Sequence, residues 1–273
     1  MPLSINTNIA SLTAQRSFVN SNAALETAYE RLASGKRINS AMDDAAGLAV
    51  GTDLASKARG LNQAVRNVND GLSMVQITDS AYNEVTSILQ RMRDLAVQAN
   101  NGSLTSIETT YLQSEHTQLV SALDGALNQA KFGNVDLITD SGKTVSIQAG
   151  TVSGEAISLS VSSSTVSHAS ALGVSVMDLT GNAGSAIGLA DTALKHIAGH
   201  RATLGAYQAQ LEATVRNLSN VAQNTTAAAG RIMDTDYAAE TANLTKAQIL
   251  QQAATSVLAQ ANAQPQSVLA LLQ

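Results

Sequence analysis

Apolar residues along the middle of this chain keep a three-four rhythm. Leu54, Ala58, Leu61, Val65, Val68, Leu72, Val75, Tyr82, Val85, Leu89, Met92, Ala96 and Ala99 follow it, and only Asp79 interrupts. Such spacing lines one face of a helix and makes a coiled-coil seam. The run predicts a helix of roughly 70 Å at 1.5 Å per residue. Gly60 and Gly71 weaken that helix locally without changing the pattern. Asn101-Gly102 ends it, and Thr105 with Glu108 forms a capping box for a second helix carrying Leu112, Leu119, Leu123, Ala126 and Ala130. From Phe132 the period changes to two: Val145, Ile147 and Ala149, then Ile157, Leu159 and Val161, alternate with polar residues, and Gly-rich turns separate them. Helical spacing returns near Gly184 with Ala190, Leu194, Ile197, Leu204, Leu211, Val215, Leu218 and Ala222, broken by Arg201 and Gln208.

The two ends carry their own recurrences. Ile5, Leu12 and Val19, and then Phe18, Leu25 and Leu32, repeat at seven. In the C-terminal stretch Ala247, Leu250, Ala254, Val257 and Ala261 keep helical spacing. The predicted fold is therefore mainly α: a long antiparallel helical bundle with a small inserted β-hairpin region and paired N- and C-terminal helices. Residues 1–43 and 232–273 form the terminal coiled coil, 44–133 and 180–231 the helical rod, and 134–179 its β-hairpin part.

Composition sharpens this. Aromatic residues are 3%, charged residues 14%, prolines two and cysteines none, while hydrophobics reach 44% largely through alanine. Scarce bulky side chains argue against a thick core, and scarce proline permits long helices. The lack of cysteine excludes disulfides, thiolate metal sites and thiol catalysis. A net charge of −5 gives no reason to bind nucleic acid or anionic membrane. No run of apolar residues is long enough to span a bilayer, and the first residues lack the basic head and apolar run of a secretory leader. Export, if it occurs, is expected by a route without a cleaved leader. From Ala247 to Gln273 no side chain is charged, yet Gln248, Gln251, Gln252 and Gln260 exclude a membrane span. Ten Leu, Ile or Val residues in 232–273 are too few to offset the entropy of ordering that stretch. Both ends are expected to gain order from other copies of the chain or from a partner.

The segment Ser34-Gly35-Lys36-Arg37-Ile38-Asn39-Ser40, continuing through Met42-Asp43-Asp44-Ala45-Ala46-Gly47-Leu48-Ala49, resembles the N-terminal signature of bacterial flagellin. Gln248-Ile249-Leu250-Gln251-Gln252-Ala253 and Val257-Leu258-Ala259-Gln260-Ala261-Asn262 are similar to its C-terminal signature. The resemblance covers about residues 4–132 and 182–273. It implies a structural subunit that self-assembles into the bacterial flagellar filament for motility, a helical homopolymer outside the cell. It also implies partners: the flagellar cap, hook-junction proteins, and an export chaperone on the C-terminal segment. Ile5, Leu12, Val19, Leu25, Leu32, Leu250, Val257, Leu258 and Leu269 are the expected assembly seam. With only about 46 residues between the two halves, no large outer domain is expected. The stretch around Leu89 to Gln98 resembles the region that the animal flagellin-sensing Toll-like receptor contacts, and places Arg91, Leu95 and Glu115 as its contacts. A surface-displayed adhesin or polysaccharide-binding protein on the same scaffold, and a hook–filament junction protein, are the competing readings.

Other chemistry is thin. His196 and His200 stand one helical turn apart, but no third ligand lies at a defining spacing. Asp43-Asp44 and Asp234 with Asp236 read as helix caps rather than acid–base pairs. No nucleophile elbow or phosphate loop is present, so the chain is read as a non-enzyme without a cofactor.

Overall fold

The computed structural model describes residues 7–139 and 141–270. The elements, in chain order, are α1 (Ile9–Ser34), α2 (Ala45–Ala99), α3 (Ser106–Asn128), β1 (Lys131–Phe132), β2 (Val135–Asp136), β3 (Lys143–Gln148), β4 (Ala156–Ser162), a short 3-10 turn (Ser164–Val166), α4 (Ala183–Met233) and α5 (Tyr237–Ala270). The chain divides into two compact units, one of residues 1–56 and 224–273 and one of residues 57–223.

In the unit of residues 57–223, the apolar rows of α2, α3 and α4 close on one another. Val68, Val75, Tyr82, Val85, Leu89, Met92 and Ala96 of α2 are fully buried against Leu123, Leu127, Ala190, Ile197, Leu204 and Leu211. Two of the three residues that interrupt the helical rhythm meet each other. Arg201 Nε donates to Asp79 Oδ1 at 2.9 Å, and another guanidinium nitrogen donates to Asn83 at 3.2 Å. One charge in each row is thus neutralised by the other, and a second cross-link, Arg93 to Asp191 at 2.7 Å, repeats the antiparallel register of α2 and α4.

The hairpin β3–β4 runs antiparallel with Val145 opposite Leu159 and Ile147 opposite Ile157. Its inner face sits on α2 where that helix lacks side chains. A Cβ built on Gly71 would stand 3.0 Å from Ile147 and 3.4 Å from Leu159, and one on Gly60 would meet Thr151 at 2.8 Å. Two glycines costly to helix propensity are therefore the seat of the hairpin.

Two boundaries differ from expectation. Helix α3 stops at Asn128, so Ala130 is buried in the following connection rather than on the helix, and residues 131–136 fold into a separate two-residue ladder. Residues 163–182 hold one 3-10 turn and no strand, although Ala169, Leu172, Val174, Met177 and Leu179 are buried. Side chains of α3 satisfy their backbone instead: Asp124 accepts from Ala169 N–H, and Gln113 both accepts from Leu179 N–H and donates to the Met177 carbonyl.

In the other unit, α1 and α5 pair antiparallel. Ser11 bonds to Asn262 at 2.9 Å, Gln251 to Asn22 at 2.6 Å and Gln248 to Tyr29 at 3.2 Å. Their mutual seam is built of small side chains, Ala14, Ser21 and Ala28 against Ala247, Ala254 and Ala261, so the backbones approach closely and little apolar area is covered.

Candidate assembly surface

Each terminal helix has two apolar rows, and the structure assigns them different directions. Leu25 and Leu32 are half-buried toward α5, and Leu258 is half-buried toward α1. Leu12 and Val19 face away from α5 and remain 58% and 59% exposed, joined by Ile9. On α5, Leu250 and Val257 are 47% and 53% exposed, with Ile249 beside them. Ile5 and the side chain of Leu269 lie outside the described residues. The expected seam is thus two surfaces: an inner one closed within the chain, and an outer one that the chain leaves in water. Four large aliphatic side chains in rows one heptad apart form a ridge of the kind that packs against another helix.

The inner surface contains residues the sequence pattern did not single out. Ala14, Ser21 and Ala28 share a phase, but small residues carry too weak a hydropathy signal to mark a seam. Glu240 lies in the same seven-residue row as Ala247, Ala254 and Ala261, is 7% exposed, and faces Arg31 at 3.9 Å.

The flagellin-like segment between α1 and α2 forms a small clamp with the connection between α4 and α5. Arg37 N–H donates to the Met233 carbonyl at 2.7 Å, Thr235 N–H to Gly35 at 3.0 Å, and the Arg37 guanidinium to Ile232 at 2.8 Å. Gly35 caps α1 in the left-handed region with φ 70°. The acidic residues here act as caps. Asp44 accepts from Gly47 N–H at 2.9 Å at the start of α2, and Asp236 from Ala238 N–H at 2.9 Å at the start of α5. Asp43 gathers the backbone N–H groups of Ser40 and Asn39, which hold its carboxyl below the usual carboxylate range. The bonds engage one oxygen of each carboxylate, Oδ2 of Asp43 and Oδ1 of Asp44 and of Asp236.

On the bundle, Arg91 donates to Glu115 through two nitrogens at 2.6 and 2.9 Å, and both side chains reach solvent. Leu95, placed beside them by sequence resemblance, is 1% exposed and belongs to the core. Its turn of α2 faces inward, between Met92 and Ala96. His196 is exposed, whereas His200 is half-buried with its ring centroid 6.5 Å from that of Tyr82. Burial, with His196 nearby, lowers the His200 pKa, and burial raises that of Tyr82. Among the described residues no group of three or more His, Cys, Asp or Glu is placed to hold a metal ion. Nor, among them, is any helix long and apolar enough to cross a membrane.

Residues 5–143 match the family model of the bacterial flagellin N-terminal helical region, and residues 187–272 match that of the bacterial flagellin C-terminal helical region. The chain is 42% identical to a flagellin of Halalkalibacterium halodurans, over 98% of this chain and 99% of that one. It is 34% identical to flagellin A of Vibrio cholerae over the full length of both, in an alignment of 379 positions against the 273 residues here. Among solved structures, the crystal structure of a Bacillus cereus flagellin superposes with TM-score 0.50 at 29% identity, covering 60% of this chain and 94% of that one. With both helical regions matched, and a relative aligned end to end, the chain belongs to the bacterial flagellin family.

Proposed function

We propose that this structural subunit of the flagellar filament polymerises through the outer rows of its terminal helices. One observation carries the reading: Leu12 and Val19 on α1, and Leu250 and Val257 on α5, stay about half exposed in a chain whose terminal helices fully bury no side chain larger than alanine but Ser21 and Glu240 among the described residues of α1 and α5. A ridge that the chain cannot cover itself is covered by copies above and below, and a head-to-tail contact of this kind repeats into a helix rather than closing. Beyond Lys246 the surface of α5 carries no charge, which fits such an environment, since none is desolvated on that stretch when copies stack. Residues 1–43 and 232–273 would then form the inner layer and the remaining helices the next one outward, with residues 134–179 as its β-hairpin part. Cap and hook-junction proteins, and an export chaperone holding the C-terminal segment before assembly, are the partners this role implies, with secretion through the flagellar apparatus itself.

Seeding purified subunit with filament fragments tests it. The intact chain should elongate the seeds into tubes visible by electron microscopy, and a chain ending at Lys246 should not. Intact chains that stay monomeric beside competent seeds would refute the reading.

A second reading concerns the released subunit. The exposed Arg91–Glu115 pair supplies a fixed cation and carboxylate on neighbouring helices, a suitable contact for the animal flagellin-sensing receptor. Leu95 supports that site from inside the bundle.

A further inference from the structure

We propose that the clamp between residues 35–37 and 232–235, rather than the coiled-coil seam, sets the register in which α1 meets α5. The inference rests on the filament reading above and concerns how the assembling helices are phased.

The seam cannot choose a register well. Small residues recur every seven positions on both helices, at 14, 21 and 28 and at 247, 254 and 261, so a slide of one heptad lays small side chains on small side chains again. Packing of this sort is nearly the same in each register, and uniform seams need a distinctive residue to specify one.

The clamp is not repetitive. Arg37 N–H takes the Met233 carbonyl and Thr235 N–H takes that of Gly35, two backbone bonds that pair Lys36 with Asp234 as an antiparallel bridge. Each bond uses one particular backbone group, and a shift of one residue would break both. Gly35 adds a steric key. It is left-handed, and a Cβ placed there would come 3.0 Å from the Tyr237 hydroxyl, so the ring closes against bare backbone. The first seam position beyond the clamp is Glu240, the one charged member of the row that also holds Ala247, Ala254 and Ala261. It is buried with Arg31 at 3.9 Å as its cation. A heptad slide would carry the carboxylate away from that cation and leave it buried and unpaired. Three cross-helix contacts continue the clamp's phase, from Arg31 with Glu240, through Asn22 with Gln251, to Ser11 with Asn262. Fixing this register fixes the stagger between the outward rows of the two helices, which neighbouring copies must match.

The lack of cysteine gives a clean background for the test. In the full-length chain, N22C with Q251C reports the observed register to a short thiol cross-linker, while N22C with L244C or with L258C reports slides of one heptad. Filaments grown from seeds are pelleted and cross-linked. With an intact clamp the 22–251 product should exceed either slipped product by about tenfold or more, the preference expected of a specified coiled-coil register. Adding G35A, which puts a Cβ on the left-handed residue and against Tyr237, should bring slipped products to a comparable level. G35N with Y237F keeps a residue that tolerates the conformation and removes the hydroxyl, and should restore the original pattern. If G35A chains do not elongate alone, they are co-assembled with an excess of unmodified subunit, and both pellet and supernatant are cross-linked. Slipped products in either fraction support the proposal. Overwhelming 22–251 product from G35A chains in both fractions, or failure of G35N with Y237F to restore the pattern, overturns it. Failure of the clamp-intact cysteine chains to elongate seeds would count against the filament reading instead.

Discussion

Truncating the outward row of α1 separates assembly from folding. In the double variant L12A with V19A, alanine preserves helix propensity, and neither side chain takes part in the α1–α5 seam. Deleting buried methylene-sized groups costs about 0.8 kcal/mol each, three from Leu and two from Val. Only the fraction still in water before assembly counts, 58% for Leu12 and 59% for Val19. The loss per subunit joining the polymer is therefore about 2 kcal/mol, which raises the critical concentration by roughly 30-fold. The assay is the protein remaining in the supernatant after seeded growth reaches a plateau, alongside circular dichroism of the monomer. The expected result is a large rise in soluble protein with an unchanged monomer spectrum. An unchanged plateau would refute the assignment of this row to intersubunit contacts, and a collapsed monomer spectrum would show that the row serves the fold.

Further predictions follow from other parts of the structure. Gly199 of α4 has open space where a Cβ would go, so G199A should stabilise the chain against urea by up to about 1 kcal/mol. G71A gains the same helix propensity but pushes into Ile147 and Leu159 at an overpacking cost of about 1–3 kcal/mol, so its unfolding midpoint should fall; equal midpoints for the two variants would mean that the hairpin does not sit on α2. His116 is 1% exposed, and burial lowers its pKa below 6.5 against the pull of a hydrogen bond with the Val174 backbone. The unfolded chain then takes up a proton that the folded chain resists. Stability should be full above pH 6.5 and fall as the pH drops below it, and H116Q should flatten that part of a pH series of thermal melts. In a receptor-activation assay, R91A with E115A should lose signal while melting within about 1 kcal/mol of the parent, because the pair is exposed. L95A, by contrast, should lower the melting temperature through a cavity costing about 2–5 kcal/mol.

Much of the bundle was legible because bulky residues announce a period. The rows through α2 and α4 needed no partner to be seen, and the capping box at Thr105 and Glu108 closes as its residue types require. Other features were hidden for physical reasons. The inner face of α1 consists of Ala14, Ser21 and Ala28, whose contribution lies in letting another backbone come near, a property hydropathy does not register. The buried stretch 163–182 shows neither period, because its backbone closes a series of local turns and is tied at three further points to Gln113 and Asp124 on another element. Leu95 is named as a receptor contact by similarity of a segment, and a segment does not say which of its side chains the bundle buries.

Breaks in the pattern proved as informative as the pattern. Asp79 and Arg201 each spoil a heptad row when read alone, and each becomes intelligible only once the other is found against it. Gly60 and Gly71 weaken a helix in isolation and seat a hairpin in context. The outward rows at 12 and 19 and at 250 and 257 belong to the same class of irregularity, with the compensating partner missing from the chain. An Asp–Arg pair or a glycine–hairpin contact can be completed within one molecule because both halves are encoded in it. A ridge of Leu and Val that faces water on both terminal helices can be completed by a second copy carrying the complementary side of the same helices, which is how one sequence specifies a polymer.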